Sequence, residues 1–237
     1  MSQVSYSQVD IIKKFQKGDT IRLVSHDLLI SLTDKVDFKT SYDDQKVRDS
    51  LKIYHNNHHQ AAIAFENYKL KFDSNFVSRR NDSLFVKLEN KRWHSVHVNS
   101  GDGYEEVRYN YENYFYRQGF YFIRIQYPEG NGYKLIDNKS GESTYLFGDI
   151  YFNNEASLAV SINCDIETGC SHNGIQLFDF SNIKPDLILK YSPEWWGPTK
   201  VNWLSDDELI VEIEAMTYEN KMWMTKLIYI KLKFLPR

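Results

Sequence analysis

Aromatic residues in close succession are the side chains of this sequence best suited to binding chemistry. Trp195 and Trp196 are adjacent and follow Pro193. Because neighbouring side chains on an extended segment point to opposite sides, we expect at most one indole in the core. The other would offer its area to a ligand or a protein partner, or else cover the end of a sheet. A second candidate surface is a tyrosine-rich stretch with Tyr109, Tyr111, Tyr114 and Tyr116.

Two cysteines, Cys164 and Cys170, flank a short loop that contains Gly169. We expect a local disulfide here, which would stabilise the fold by about 2 kcal/mol; two free thiols are the alternative. A disulfide implies an exported protein at the periplasm or cell surface. Its N-terminal export signal would have been removed, and a lipid anchor at the resulting N-terminus is compatible with this prediction. A cytoplasmic location is the alternative.

Histidines and carboxylates do not form a recognisable catalytic or metal-binding motif. His55, His58 and His59 lack the carboxylate spacing of a helical zinc site, so we expect a solvated loop, with no metal and no cofactor. No nucleophile motif appears, and no acidic pair is shown to converge. We therefore expect no catalytic residues and favour a non-catalytic protein.

The amino-acid composition limits the classes of binding partner that we expect. Lys and Arg total 29 against 32 for Asp and Glu, a net charge of −3, which gives no reason to expect nucleic acid. No apolar run approaches the roughly 20 residues of a membrane-spanning helix. Aromatic residues make up 15% of the chain and favour strands.

Polar turns recur from residue 77 onward and separate short apolar segments. The turns are at 79–82, 116–119, 153–156 and 205–207. The strands predicted after them are 83–88, 120–126, 158–162 and 209–214. Third strands are predicted at 92–98, 132–137, 174–179 and 227–233, and fourth strands at 144–147 and 187–191.

The pattern predicts a single all-β domain over residues 1–237. Residues 1–76 are its less regular part, and residues 77–237 form repeated meanders. In the less regular part we expect a short helix at 9–15 and a hairpin over 21–32. The apolar run 61–65 fits a strand or a helical turn equally well.

The segments 133–142 and 152–160 resemble the strand, turn and strand phrase of bacterial WD-repeat-like β-propellers. The resemblance is clearest over residues 105–235. The family's Ser-Pro-Asp-Gly turn is replaced by Asn153-Asn-Glu-Ala156. The resemblance implies a propeller-like stack of four-stranded antiparallel meanders; a β-sandwich is the alternative.

Rigid sheets with variable loops suit recognition. We expect a non-catalytic binding module of an exported protein, which binds a protein or glycan partner through loops at one end of its sheets. One alternative is an extracellular hydrolase that acts on carbohydrate or peptide with paired carboxylates. Another is an inhibitor or immunity-type protein of a secreted enzyme.

Overall fold

The chain forms two compact units. Unit 1 combines Met1–Lys39 with Phe147–Arg237, and unit 2 comprises Thr40–Leu146. The computed structural model describes residues 19–22, 26–35, 38, 47, 57–98, 107–182, 184–219 and 222–236. The chain leaves unit 1 after Lys39 and returns to it at Phe147. The single domain predicted over residues 1–237 stays a prediction.

Antiparallel strands dominate the described residues, and a helix lies between the second and third strands. In chain order the elements are β1 (Asp19–Arg22), β2 (His26–Leu32), α1 (His58–Asp73), β3 (Val77–Arg80), β4 (Ser83–Lys87), β5 (Trp93–Val98), β6 (Arg108–Phe115), β7 (Phe120–Gln126), β8 (Asn131–Asp137), β9 (Ser143–Leu146), β10 (Asp149–Phe152), β11 (Leu158–Asn163), β12 (Gly174–Asp179), β13 (Asp186–Tyr191), β14 (Trp196–Trp203), β15 (Glu208–Glu219) and β16 (Met222–Pro236).

Unit 1 contains a five-stranded sheet in the order β1-β2-β16-β15-β14 and a four-stranded sheet in the order β10-β11-β12-β13. Each sheet contributes apolar side chains to the interior, and β11 and β12 are buried at every position except the last. The interior side chains of both sheets form one hydrophobic core, which includes Leu28, Ile30, Val160, Leu177, Val211, Ile213, Ile230 and Phe234.

Unit 2 contains a three-stranded sheet, β3-β4-β5, and a four-stranded sheet, β6-β7-β8-β9. Helix α1 packs against β6 and β3. The core of unit 2 lies among these elements and includes Val77, Leu84, Val86, Val96, Tyr111, Tyr121, Ile123 and Ile136.

Helix α1 begins with a side-chain cap. The side chain of Asn57 accepts a hydrogen bond from the backbone nitrogen of Gln60 at 3.0 Å, which satisfies one of the amide groups that a helix start leaves unpaired. His58 and His59 open this helix, and His59 Nδ1 lies 3.2 Å from Oε1 of Gln126. The predicted solvated loop is therefore wrong for these two histidines, and His55 lies outside the described residues.

The all-β prediction is confirmed at the level of fold class. The second, third and fourth strands of the predicted meanders all occur. Where their observed first or last residues differ from the predicted ones, the difference is mostly one residue. The C-terminal sheet differs: its next strand after β16 is β2, from the N-terminal hairpin. The segment 61–65, left open between strand and helix, lies within α1.

No helix among the described residues has the length and apolar character needed to cross a membrane. The helix predicted at 9–15 falls outside them.

Candidate functional site

The tryptophan pair predicted as a binding surface lies in unit 1, at the start of β14. Trp196 is 2% exposed and belongs to the core, where its ring centroid lies 5.8 Å from that of Tyr191. Asn173 fixes the same backbone, because its Nδ2 donates to the carbonyl oxygens of Pro193 and Trp196. The surface role predicted for Trp196 is therefore wrong, since strand register turns its indole inward. Trp195 is half-buried.

The predicted disulfide is not formed, and both cysteines are free thiols. The loop between them is closed instead by Asp165, whose carboxylate accepts hydrogen bonds from backbone nitrogens of Thr168, Gly169 and Ser171. This arrangement leaves Cys170 exposed. Cys164 is half-buried, and burial raises the pKa of its thiol to about 11.

The four predicted tyrosines lie on or just after β6 but have different environments. Tyr111 is fully buried, so its predicted role in contacting a partner is wrong. Tyr109 and Tyr114 are half-buried, and Tyr116 is 60% exposed. A β-bulge between Tyr111 and Asn113 explains part of this pattern, because the extra residue puts Tyr111 and Tyr114 on one face of the sheet.

A buried carboxylate organises one group of aromatic residues, which we call the Asp73 cluster: Asp73, Phe76, Tyr111, Tyr114 and Tyr116. The hydroxyls of Tyr111 and Tyr116 donate to the two oxygens of Asp73, at 2.7 and 2.5 Å. The Asp73 hydrogen bond, with some burial, raises the pKa of Tyr116 to about 12. Both phenols therefore stay protonated donors at neutral pH, and the cluster ties α1 to β6.

A buried amine lies at the other end of β6, among residues that we call the Lys134 cluster: His94, Tyr109, Tyr127, Lys134 and Tyr145. Lys134 is only 6% exposed. Its Nζ donates to the carbonyl oxygen of Val96 at 3.3 Å and lies 4.7 Å from the ring centroid of Tyr109. The cluster thus joins β5, β6, β8 and β9 around one cation.

The tyrosines of this cluster form a partly exposed rim. Tyr145 is 65% exposed and is the register partner of Lys134 on β9. Tyr127 is 44% exposed, and its ring lies against Gly132, where an added Cβ would come within 3.3 Å of it. A glycine at this position therefore allows the phenol to lie close to the sheet.

Electrostatics in the Lys134 cluster follow from burial. Desolvation lowers the pKa of the Lys134 amine. Burial, with a smaller contribution from the Lys134 charge, also lowers the pKa of His94. Burial and the neighbouring phenols Tyr127 and Tyr145 raise the pKa of Tyr109. At neutral pH the cluster has neutral phenols and one buried cationic group.

Sequence reasoning missed Lys134, Tyr127 and Tyr145. A signal was present: Lys134 stands in the apolar segment 133–136, where both faces of the strand carry apolar side chains, so a lysine there must be buried. The convergence of the three tyrosines depends on how the four strands β6, β7, β8 and β9 pair with one another in the sheet. No sequence spacing reports that pairing.

Metal chemistry finds no support in the part of the chain that the structure describes, where no group of three or more His, Cys, Asp or Glu side chains could hold an ion.

Comparison of the chain with protein-family models, curated proteins and solved structures gives no match.

Proposed function

We propose that this protein is a non-catalytic binding module that receives a protein or glycan partner on the rim of the Lys134 cluster. The observation that carries the proposal is a buried amine with tyrosines close to it. The Tyr109 ring centroid lies 4.7 Å from Lys134 Nζ, and Tyr145 is the register partner of Lys134 on β9. Tyr127 lies against Gly132, which is on the same strand as Lys134. Two of these rings are 44% and 65% exposed. Tyrosine combines a large apolar face with a polar tip, which suits it to binding surfaces.

The backbone positions of the rim tyrosines also favour recognition. Tyr109 and Tyr145 lie on paired strands, and Tyr127 follows β7 and lies against Gly132. Little conformational entropy is lost when such side chains meet a partner, so more of the contact energy contributes to affinity.

The test is a double substitution, Tyr127→Ala with Tyr145→Ala, assayed on a glycan array and on immobilised protein from the source organism. We expect partner binding to fall at least tenfold. Phe72→Ala is the matched control, because Phe72 is a 67% exposed aromatic residue elsewhere in unit 2.

Circular dichroism would establish that all variants fold. Equal binding by the wild type and the double variant would contradict the proposal, as would equal losses in the double variant and Phe72→Ala.

The propeller-type arrangement of the sheets and the export of the protein are further proposals. Consecutive antiparallel strands in three of the four sheets support the propeller-type resemblance, whereas the five-stranded sheet pairs β2 with β16. Export loses its main argument, because it was inferred from a disulfide that the structure does not contain. The hydrolase and inhibitor hypotheses stay predictions.

A further inference from the structure

We propose that the amine of Lys134 binds the carboxylate of an acidic sugar whose ring lies against the surrounding tyrosines. This inference rests on the proposed binding function and adds the chemical class of the ligand.

Lys134 has unused hydrogen-bonding capacity. A lysine ammonium has three N–H donors. Among the described residues, one acceptor receives a hydrogen bond from it, the carbonyl oxygen of Val96, and the Tyr109 ring supplies a cation–π contact. No carboxylate of the described chain forms an ion pair with it. Buried charges in proteins are normally paired, and a carboxylate of a bound ligand would supply the ion-pair partner that the described residues do not.

The charge of the cluster favours a monoanion. Lys134 is the one cation that the described residues place there, since the lowered pKa of His94 keeps that ring neutral at pH 7. A carboxylate would balance the ammonium. A phosphate dianion would add an unbalanced charge next to Tyr109, whose own ionisation is already disfavoured.

The surroundings favour a saccharide as carrier of that carboxylate. Tyr127 and Tyr145 are 44% and 65% exposed. Aromatic rings suit the C–H faces of a pyranose, and phenol hydroxyls can exchange hydrogen bonds with sugar hydroxyls. A uronic acid combines a flat apolar face, several hydroxyls and one carboxylate. An acidic peptide offers the carboxylate without the stacking face.

The test is isothermal titration calorimetry with sodium glucuronate, glucose, sodium acetate and N-acetylglutamate. We expect glucuronate to bind the wild type at least tenfold more tightly than any of the other three. Lys134→Met should lower glucuronate affinity at least tenfold. Lys139→Met is the matched control, because Lys139 is an exposed lysine in the turn after β8, and it should leave affinity unchanged.

Misfolding is separated from loss of the site by two further measurements. Lys134→Met keeps most of the length of the unbranched side chain and removes a buried charge, so its urea midpoint should be no lower than that of the wild type. In the wild type, the chemical shift of the Lys134 ε-CH2 should titrate at higher pH when glucuronate is present.

Several results would overturn the inference. These are equal glucuronate affinity in wild type and Lys134→Met, no glucuronate binding at all, acetate binding as tight as glucuronate, or N-acetylglutamate binding more tightly, which would indicate an acidic peptide. Tyrosine-dependent capture of a partner that does not need Lys134 would leave the proposed function intact and refute only the acidic ligand.

Discussion

Buried ionisable side chains in this protein are satisfied to different degrees. Glu66 accepts hydrogen bonds from Arg79, Asn110 Nδ2 and the backbone nitrogen of Tyr111. Glu212 accepts them from Lys200, Thr199 Oγ1 and the Tyr229 hydroxyl. The Lys134 amine donates to one acceptor, the carbonyl oxygen of Val96, and makes a cation–π contact with the Tyr109 ring. A fully satisfied network of buried polar groups rigidifies a core. A buried group with a perturbed pKa is a candidate for a functional site, and burial lowers the pKa of Lys134.

The pH dependence of the free energy of unfolding should include a contribution from ionisation of the Glu212 carboxylate. Burial acts to raise its pKa, but hydrogen bonds from Lys200, Thr199 and Tyr229 outweigh burial and lower the pKa below 4.5. A lowered folded-state pKa gives stability that is present above the unfolded value and is lost as pH falls through the folded value. Glu212→Gln should therefore lower the urea midpoint at pH 7 and have a smaller effect near pH 3.

The control for this prediction is Glu155→Gln, which changes an exposed carboxylate in the same unit. Its urea midpoint should shift little at either pH. A Glu212→Gln effect of the same size at pH 3 and pH 7 would show that ionisation of Glu212 does not contribute to stability.

The two thiols should differ in reactivity. Cys170 is exposed, whereas Cys164 is half-buried with a pKa raised to about 11, so little of it is thiolate at pH 8. With Ellman's reagent at pH 8 we expect one thiol to react rapidly and the second only after unfolding. Cys170→Ser should remove the rapid phase. A protein purified without reductant that shows no thiol even when unfolded would contradict the free-thiol assignment.

At the scale of elements, α1 shows how charge can conceal a helix in a sequence. Its inward side carries Ala62, Phe65, Glu66 and Asp73. Two carboxylates on the buried side weaken the apolar periodicity by which an amphipathic helix is recognised. They are tolerated because β3 and β6 supply donors to them, a property of the assembled unit.

Substitution of Glu66 should destabilise the packing of α1. Its carboxylate receives Arg79 Nε at 2.8 Å and Nη2 at 2.6 Å, and its side chain is 5% exposed. Because Glu66→Gln leaves the guanidinium without its counter-charge, we expect a loss of about 3 kcal/mol, measured by urea denaturation followed by circular dichroism. Glu129→Gln, an exposed carboxylate of unit 2, should cost less than about 0.5 kcal/mol. Equal losses would contradict this role.

Much of the strand pattern could be predicted because it depends on local alternation and turn residues. β7 occurs over 120–126 as predicted, and β12 over 174–179. The bulge at Tyr111 and the inward indole of Trp196 depend on the partner strand, so local sequence could not place them. Asp73 and Lys134 were missed for the same reason, since their importance arises from contacts across sequence separations of about 40 residues.

At the scale of the whole molecule, strands that are far apart in sequence, β2 and β16, pair in unit 1. Strand β2 pairs with β16 over seven register positions, from Leu32 with Ile230 to His26 with Pro236. Without β2, β16 would be an edge strand with unpaired backbone groups. The residues between β2 and β16 include all of unit 2, so this contact has a high sequence separation. Because closing so long a loop costs conformational entropy, we expect the β2–β16 pairing to form late in folding.

An N-terminal substitution should therefore destabilise the C-terminal sheet. Leu28 is 1% exposed in the core of unit 1, whereas its neighbour Leu29 is only half-buried and points to the opposite face. We expect Leu28→Ala to cost about 3 kcal/mol, because it leaves a cavity. Leu29→Ala should cost about 1 kcal/mol or less. Tryptophan fluorescence during urea unfolding measures both, since four of the five tryptophans lie between residues 195 and 223. If both substitutions left this fluorescence transition unchanged, β2 would not be part of the C-terminal sheet in solution, and the pairing of β2 with β16 would be wrong.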